Sequence, residues 1–280
     1  MSANINQAVV DGFGDEWSRF DQSGMSHEEW LTLAEAYFEL MPWATLPPDA
    51  SGFDLGCGSG RWAKYVAPRV GVLHCVDASE AALGVARRTL AGIPNVAFHA
   101  ASVDAIPLAN ASQDFGYSLG VLHHVPDTEE GVKQAVAKLR RGAPFLLYLY
   151  YSFENRPIWF RAIWRVSDGL RRVVSRFPHS LRYGASQVIA ATVYYPLARS
   201  AQLLERCGMS VEHLPLAAYR DRSFYVMRTD ALDRFGTQLE QRFSRAEIRG
   251  MMERAGLERV TFSDRVFWCA VGWKSADDLE

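Results

Sequence analysis

The stretch Phe53-Asp54-Leu55-Gly56-Cys57-Gly58-Ser59-Gly60 limits the possible folds of this chain more than any other. A short apolar run ends in an acid, and three glycines then alternate with other residues. Glycine allows φ > 0 and lets a ligand come close to the backbone. Arg61-Trp62-Ala63-Lys64-Tyr65-Val66 reads as a helix opening from this turn, with free backbone N–H groups beside the ligand. Taken alone, the glycines also fit a plain tight strand-to-helix connection. The G-x-G-x-G spacing is not the G-x-G-x-x-G of dinucleotide sites, and no phosphate-loop lysine motif is present. A second apolar run, Leu73-His74-Cys75-Val76-Asp77, ends in an acid 17 residues after Gly60. An acid at the end of the second strand of a βαβ unit can accept both hydroxyl hydrogens of a ribose.

The following chain keeps alternating. Ser79 to Leu90 reads as a helix, Val96 to His99 as a third strand and Asp114 to Leu119 as a fourth. Thr128 to Arg141 reads as a helix closed by Gly142, and Pro144 to Tyr151 as an apolar fifth strand. This alternation predicts an α/β fold with a doubly wound parallel sheet. Ser244-Arg245-Ala246-Glu247 is a capping box opening a helix, followed by two strand-like runs at 259–264 and 267–273.

Together, Asp54-x-Gly56-x-Gly58-x-Gly60 and Asp77 resemble the first two motifs of the class I S-adenosylmethionine-dependent methyltransferases. The likeness continues through Val103 to Leu108 and through Asp114 to Asp127, where it is similar to the small-molecule (type 11) branch. It covers roughly residues 50–150 and 243–274. It implies a seven-stranded, mostly parallel Rossmann-like sheet with an antiparallel last strand. It also implies S-adenosylmethionine as cofactor and S-adenosylhomocysteine as product. On that resemblance Gly56, Gly58 and Gly60 form the methionine-side turn, and Asp54 meets the α-amino group. Asp77 takes the ribose hydroxyls, Ala78 packs on the adenine, and Leu119 and Gly120 offer carbonyls. The third motif commonly has an acid facing the adenine amine; here Ser102 and Val103 stand there, and Asp104 is displaced by two. His123 and His124 are candidate general bases, or simply order their loop; adjacent residues point apart, so both do not line one pocket equally. Methyl transfer mainly needs placement and exclusion of water. No acidic cluster calls for a magnesium site, so no metal is expected.

The chain has 280 residues, 49% hydrophobic and 22% charged, as an ordinary globular protein does. A net charge of -2 implies no general attraction to nucleic acid. Cys57, Cys75, Cys207 and Cys269 are scattered, which makes a reducing cytoplasm the expected setting. There is no apolar signal core, and apolar runs fall short of the ~18–20 residues of a membrane span. Three regions are expected: an N-terminal helical arm over 1–48, a core over 49–151 and 236–275, and a helical insertion over 152–235. Trp17 is the candidate residue of the arm for capping the cofactor.

Within the insertion, Arg156 to Phe177 predicts an amphipathic helix: Trp159, Ile163, Val166, Leu170, Val173 and Phe177 form one row and Arg161, Arg165, Arg172 and Arg176 another. Pro196 should kink or divide a second helix over 187–207. Residues 151–235 hold 13 Arg and no Lys against 7 Asp plus Glu. Arg suits carboxylate or phosphate. Tyr151, Trp159, Tyr195, Arg220 and Arg222 are candidate substrate contacts with Trp17; the alternative is a packed lid with solvated arginines. The leading expectation is methyl transfer to a small, acidic or aromatic acceptor. Three others stay open: a lipid-linked or prenylated substrate at a membrane surface, an RNA or protein substrate, and a non-catalytic cofactor-binding protein. No sequence feature speaks to oligomeric state.

Overall fold

A computed structural model describes residues 4–154, 156–265 and 267–276. The strands are β1 (Ser51–Leu55), β2 (Val72–Asp77), β3 (Val96–Ala100), β4 (Phe115–Leu119), β5 (Pro144–Tyr148), β6 (Leu257–Phe262) and β7 (Ala270–Lys274). The helices are α1 (Gln7–Arg19), α2 (His27–Phe38), α3 (Ala63–Val66), α4 (Glu80–Thr89), α5 (Thr128–Lys138), α6 (Ile158–Val174), α7 (His179–Ile189), α8 (Tyr195–Arg206), α9 (Phe224–Gly236) and α10 (Arg245–Arg254). The chain divides into two compact units. One holds the chain up to Asp21, Trp30–Ser152 and the chain from Leu239; the other holds Gln22–Glu29 and Phe153–Gln238.

In the first unit all seven strands form one sheet, in the order β3-β2-β1-β4-β5-β7-β6. β1 to β5 pair in parallel, and β7 runs antiparallel to both β5 and β6. The strand order reverses between β1 and β4, and ligands of such sheets bind in the crevice at that switch point. The period of two puts Phe53 and Leu55 on one face, in a core with Val132, Val136, Ile248 and Met252 of α5 and α10. The other face gives Leu73, Cys75 and Tyr117 to a core with Phe38, Ala63, Leu83 and Ala86. Close packing at the centre depends on two glycines. Gly52 lies opposite Phe115 and Gly116 opposite Phe53. A Cβ on Gly52 would meet the Phe115 ring at 2.2 Å, and one on Gly116 the Phe53 ring at 2.4 Å.

Helix ends follow local chemistry, with differences from the sequence expectation. Ser79 caps α4 and Asp127 caps α5, each side chain accepting a backbone N–H, and Ser244 and Glu247 complete the capping box of α10. α5 stops at Lys138, before Gly142. The reason is non-local: the N–H groups of Ala111, Ser112 and Gln113 take the carbonyls of Ala137 and Lys138. The β5 ladder ends at Tyr148, and Tyr151 instead bridges Phe243.

The second unit is helical, with Val174, Ala190, Tyr194, Met227, Ala231 and Phe235 at its centre. Between α7 and α8 the chain forms a π-turn over Ala190–Tyr194, and Pro196 falls in the first turn of α8. The proline thus changes the helical register rather than breaking the path. α6 is amphipathic, but its apolar row faces outward: Trp159, Ile163, Val166, Leu170 and Val173 are all exposed, as is Phe177 just past its end. Its inward face carries Asp168 and Arg171, both buried, beside Val174. Arg171 Nε donates to Asp168 at 2.7 Å and its Nη1 to the Thr237 carbonyl at 2.8 Å, while Arg182 reaches the Gly236 carbonyl at 2.7 Å. These arginines satisfy the carbonyls that end α9, which places polar residues inside.

Candidate active site

The glycine turn follows β1 directly. Gly56 and Gly58 adopt φ of +80° and +52°, a region costly for a side chain. The N–H groups of Gly56 and Cys57 donate to the Val76 carbonyl at 2.7 and 3.1 Å, holding the turn against the end of β2. Asp77 completes the tie: Oδ2 accepts from Gly58 N and Oδ1 from Ser79 N, both at 2.8 Å. Burial raises the Asp77 pKa, and these two backbone donors oppose the rise. Each oxygen keeps a further lone pair for hydroxyl donors.

A cleft enclosing about 900 Å³ out to its mouth opens over this turn, bounded by the ends of β1, β2 and β4 and by the loop after β3. α1 forms its outer wall with Val9, Val10, Phe13 and Trp17. The Trp17 indole lies so close that a Cβ on Gly58 would come within 2.8 Å of Nε1. Arg61, also on the wall, stacks on Trp62 at 4.1 Å and lies 5.9 Å from the Trp17 ring. The arm is fastened at its start. Asn4 Nδ2 donates to the Asp127 carbonyl at 2.7 Å, and Asp127 N donates back to Asn4 Oδ1 at 2.8 Å. Asn4 N donates to Asp104 Oδ2 at 3.0 Å. The Ser102 hydroxyl donates to Asp104 Oδ1, which holds the Asp104 carboxyl below the ordinary range. With its proton so engaged, Ser102 Oγ presents lone pairs to the cleft it lines.

Asp54 lies beneath the turn. It is in register with Cys75 on one side and Tyr117 on the other, and all three are buried. Burial lifts its pKa to about 8; the Tyr117 hydroxyl lowers it and Asp77 adds to the rise. That hydroxyl makes no well-aligned bond, so Asp54 Oδ2 and Tyr117 Oη both stay unpartnered, as does the buried Ser59 Oγ. With its pKa at about 8 the Asp54 carboxyl is protonated in the folded chain at neutral pH, and its unused oxygen would ionise with a cation brought beside it.

His124 lines the cleft and His123 does not. His124 Nδ1 lies 2.7 Å from the Leu239 carbonyl. A carbonyl only accepts, so Nδ1 carries the hydrogen and Nε2 holds the lone pair. Phe13 packs against the His124 ring at 5.0 Å. The segment holding Leu239 is itself braced: Gln241 N donates to the His123 carbonyl at 3.0 Å, and its side chain to the Val125 carbonyl at 2.7 Å. His123 is fully buried against Tyr150, ring centres 3.8 Å apart, with neither ring nitrogen partnered. Burial first, then His124 and Arg242, push its pKa well below the ordinary histidine value, so it is neutral.

Residues 53–142 match the family model described as a methyltransferase domain. A methyltransferase of Mycobacterium tuberculosis (strain ATCC 25618 / H37Rv) is 27% identical over 128 residues, covering 45% of this chain and 64% of that one. A transposon-borne 37.1 kDa protein of Streptomyces fradiae is 32% identical over 104 residues, covering 36% and 30%. The chain thus spans less than two thirds of the length of either relative. Among solved structures, an O-methyltransferase family protein from Burkholderia thailandensis superposes with a TM-score of 0.55 at 15% identity, covering 96% of this chain and 60% of that one. A chain of the Haloferax volcanii complex between a methyltransferase and its methyltransferase activator gives 0.51 at 15% identity, covering 94% and 97%. These likenesses show a shared fold. Residues 53–142 are thus similar to a methyltransferase domain, carried on a sheet with the fold of these neighbours.

In this domain the cleft gathers Gly56, Gly58, Asp77, Ala78, Ser102, Val103, Leu119, Gly120, His124 and Trp17 on its wall. Asp54 and Gly60 lie behind it; Gly60 backs onto Ala86 of α4. Tyr151 packs on Trp268 at 5.2 Å. Trp159 and Tyr195 are surface residues of the helical unit. There Arg220 Nε binds Glu205 at 2.6 Å, and the Arg222 carbonyl accepts from Arg199 at 3.0 Å. Asn4, Tyr117, Leu239 and Gln241 join the site only through the fold. Arg61, the first residue after the glycine turn, was readable from its place.

Proposed function

We propose that the protein transfers the methyl group of S-adenosylmethionine to a small acceptor held in this cleft. The observation that carries the reading is the joint of Gly58 and Asp77: a turn stripped of side chains, pinned by an acid whose remaining lone pairs face the same space. The cofactor, when bound, supplies an activated sulfonium methyl. Gly56 and Gly58 would give it a close backbone wall, and Asp77 would accept from its ribose hydroxyls. Ser102 Oγ, with Ala78 and Val103, would hold the adenine, and Arg61 and Asp54 would serve its carboxylate and ammonium groups. Trp17 and α1 would exclude water.

The acceptor meets Val10, Phe13, Val121 and Val125, a mostly apolar wall, with His124 as its basic group. We assign His124 Nε2 the proton of an acceptor hydroxyl or amine, with Leu239 holding the ring in the required tautomer. A small aromatic or acyl acceptor bearing one such group fits this wall.

Calorimetric titration of the whole chain with S-adenosylmethionine and with S-adenosylhomocysteine tests the reading. Binding of both is expected, and binding of neither overturns it. Binding without methyl transfer across a panel of phenols, amines and acyl acceptors would favour a cofactor-binding protein instead.

A further inference from the structure

The outward apolar row of α6 is not needed to fold the helical unit, and it occurs with a second feature. With 3.6 residues per turn, Trp159, Ile163, Val166, Leu170 and Val173 fall within an arc of about 80° along a helix about 25 Å long, and Phe177 follows just past its end. All six are exposed, Val166 by 77% and Val173 by 54%. Leu181 and Val188 of α7 and Leu197 and Leu203 of α8 are exposed as well. Isolated exposed apolar residues are normal, but rows of this kind are not.

Arg161, Arg165 and Arg172 form a separate exposed row on α6, and exposed Arg176 follows its end. Between Arg156 and Leu204 the sequence contains one acid, Asp168. Asp168 is buried and held by Arg171 at 2.7 Å and Arg172 at 3.0 Å. The positive charge of Arg161 and Arg165 therefore has no acidic neighbour on these helices. Long arginine stems can lie along an apolar surface while their heads reach a polar layer.

We propose that α6 lies flat on an anionic lipid surface, with its apolar row entering the headgroup boundary and its arginines meeting lipid phosphates. The chemistry is that of an interfacial amphipathic helix. Among the described residues no helix is long and apolar enough to cross a membrane, so the contact is peripheral. A second copy of the chain is a poorer occupant. A symmetric contact through this row would bring two sets of arginines together with no acid on α6 to α8 before Glu205 to pair with them. An anionic headgroup layer supplies the missing charge. The inference stands on the helical unit alone and does not depend on the methyl-transfer reading.

The test is flotation of the whole protein with vesicles of zwitterionic lipid alone or mixed with about one-third anionic lipid. Strong binding to the anionic vesicles, weakened by salt, is expected. Val166→Glu with Leu170→Glu should abolish it; both side chains are exposed, so the fold should be retained, as circular dichroism and an unchanged cofactor titration would show. Arg161→Gln and Arg165→Gln should each weaken binding by about fivefold. No flotation with anionic vesicles overturns the proposal. So does a stable dimer in light scattering that the Val166→Glu, Leu170→Glu pair dissociates while vesicles bind neither form.

Discussion

Asp54 and Tyr117 stand opposite each other in register on β1 and β4, both buried, and neither Asp54 Oδ2 nor Tyr117 Oη has a partner. Such a carboxyl is a cost to the ligand-free fold. Its pKa, raised by burial to about 8 from an ordinary 3.8, means that the folded chain holds the proton more tightly than the unfolded one. Stability from this group is therefore full below about pH 4 and is lost as pH rises toward 8. Asp54→Asn should raise the melting temperature of the ligand-free protein, more at pH 8.5 than at pH 5.5, and should weaken S-adenosylmethionine binding. Thermal melts at the two pH values, paired with calorimetry, check both signs. An equal gain at both values would show that the carboxyl is not the source.

Trp17 and Gly58 are coupled by contact. Gly58→Ala places a methyl 2.8 Å from the indole nitrogen at φ +52°. Backbone strain and crowding together should cost about 1–3 kcal/mol and displace the arm. Trp17→Ala removes the crowding but leaves the strain. In a double-mutant cycle on cofactor affinity, the second substitution should therefore cost less in the Gly58→Ala background than in the parent. Strict additivity would mean that the indole does not cover the occupied turn.

Asn4 fastens the arm through its two-way pairing with the backbone of Asp127. Asn4→Ala breaks both bonds and should cost about 1–3 kcal/mol locally. The core should keep its melting temperature, while the arm becomes open to limited proteolysis between Asn6 and Arg19. Cofactor dissociation should become faster, as stopped-flow release of S-adenosylhomocysteine would show. Unchanged cleavage and release rates would assign the fastening to the apolar contacts of α1.

The alternation of strands and helices and the glycine turn after β1 were legible because their signals are local. Phe53-Asp54-Leu55 and the glycines name a strand end and a turn within eight residues, and Asp77 repeats the strand-end acid. What stayed hidden depends on partners far along the chain. Leu239 and Gln241 brace His124 across more than 100 residues, and no local pattern marks them. The end of α5 depends on Ala111 to Gln113, so Gly142 was a misleading stop. For α6 the period was readable and the buried side was not. Apolar residues are normally taken as the inward face, but here Arg171 and Arg182 are drawn in by the carbonyls at the end of α9.

The adjacent histidines should separate cleanly by experiment. His124 lines the cleft with Nε2, itself buried in the folded chain, as its lone-pair nitrogen. Because His124 is the proposed base, His124→Ala should lower kcat by about 10²–10⁴-fold with little change in cofactor affinity. His124→Gln, which keeps polarity but lacks a comparable base, should not restore the rate. His123 is buried, neutral and without a partner on either ring nitrogen. Its packing on Tyr150 is what a phenyl ring can reproduce. His123→Phe removes two unsatisfied polar atoms, so it should leave stability unchanged or raise it by about 1–3 kcal/mol while preserving kcat. Steady-state kinetics and denaturant unfolding of the two variants decide the matter. A large loss of kcat in His123→Phe at normal stability would transfer the proton-handling role to the inner histidine.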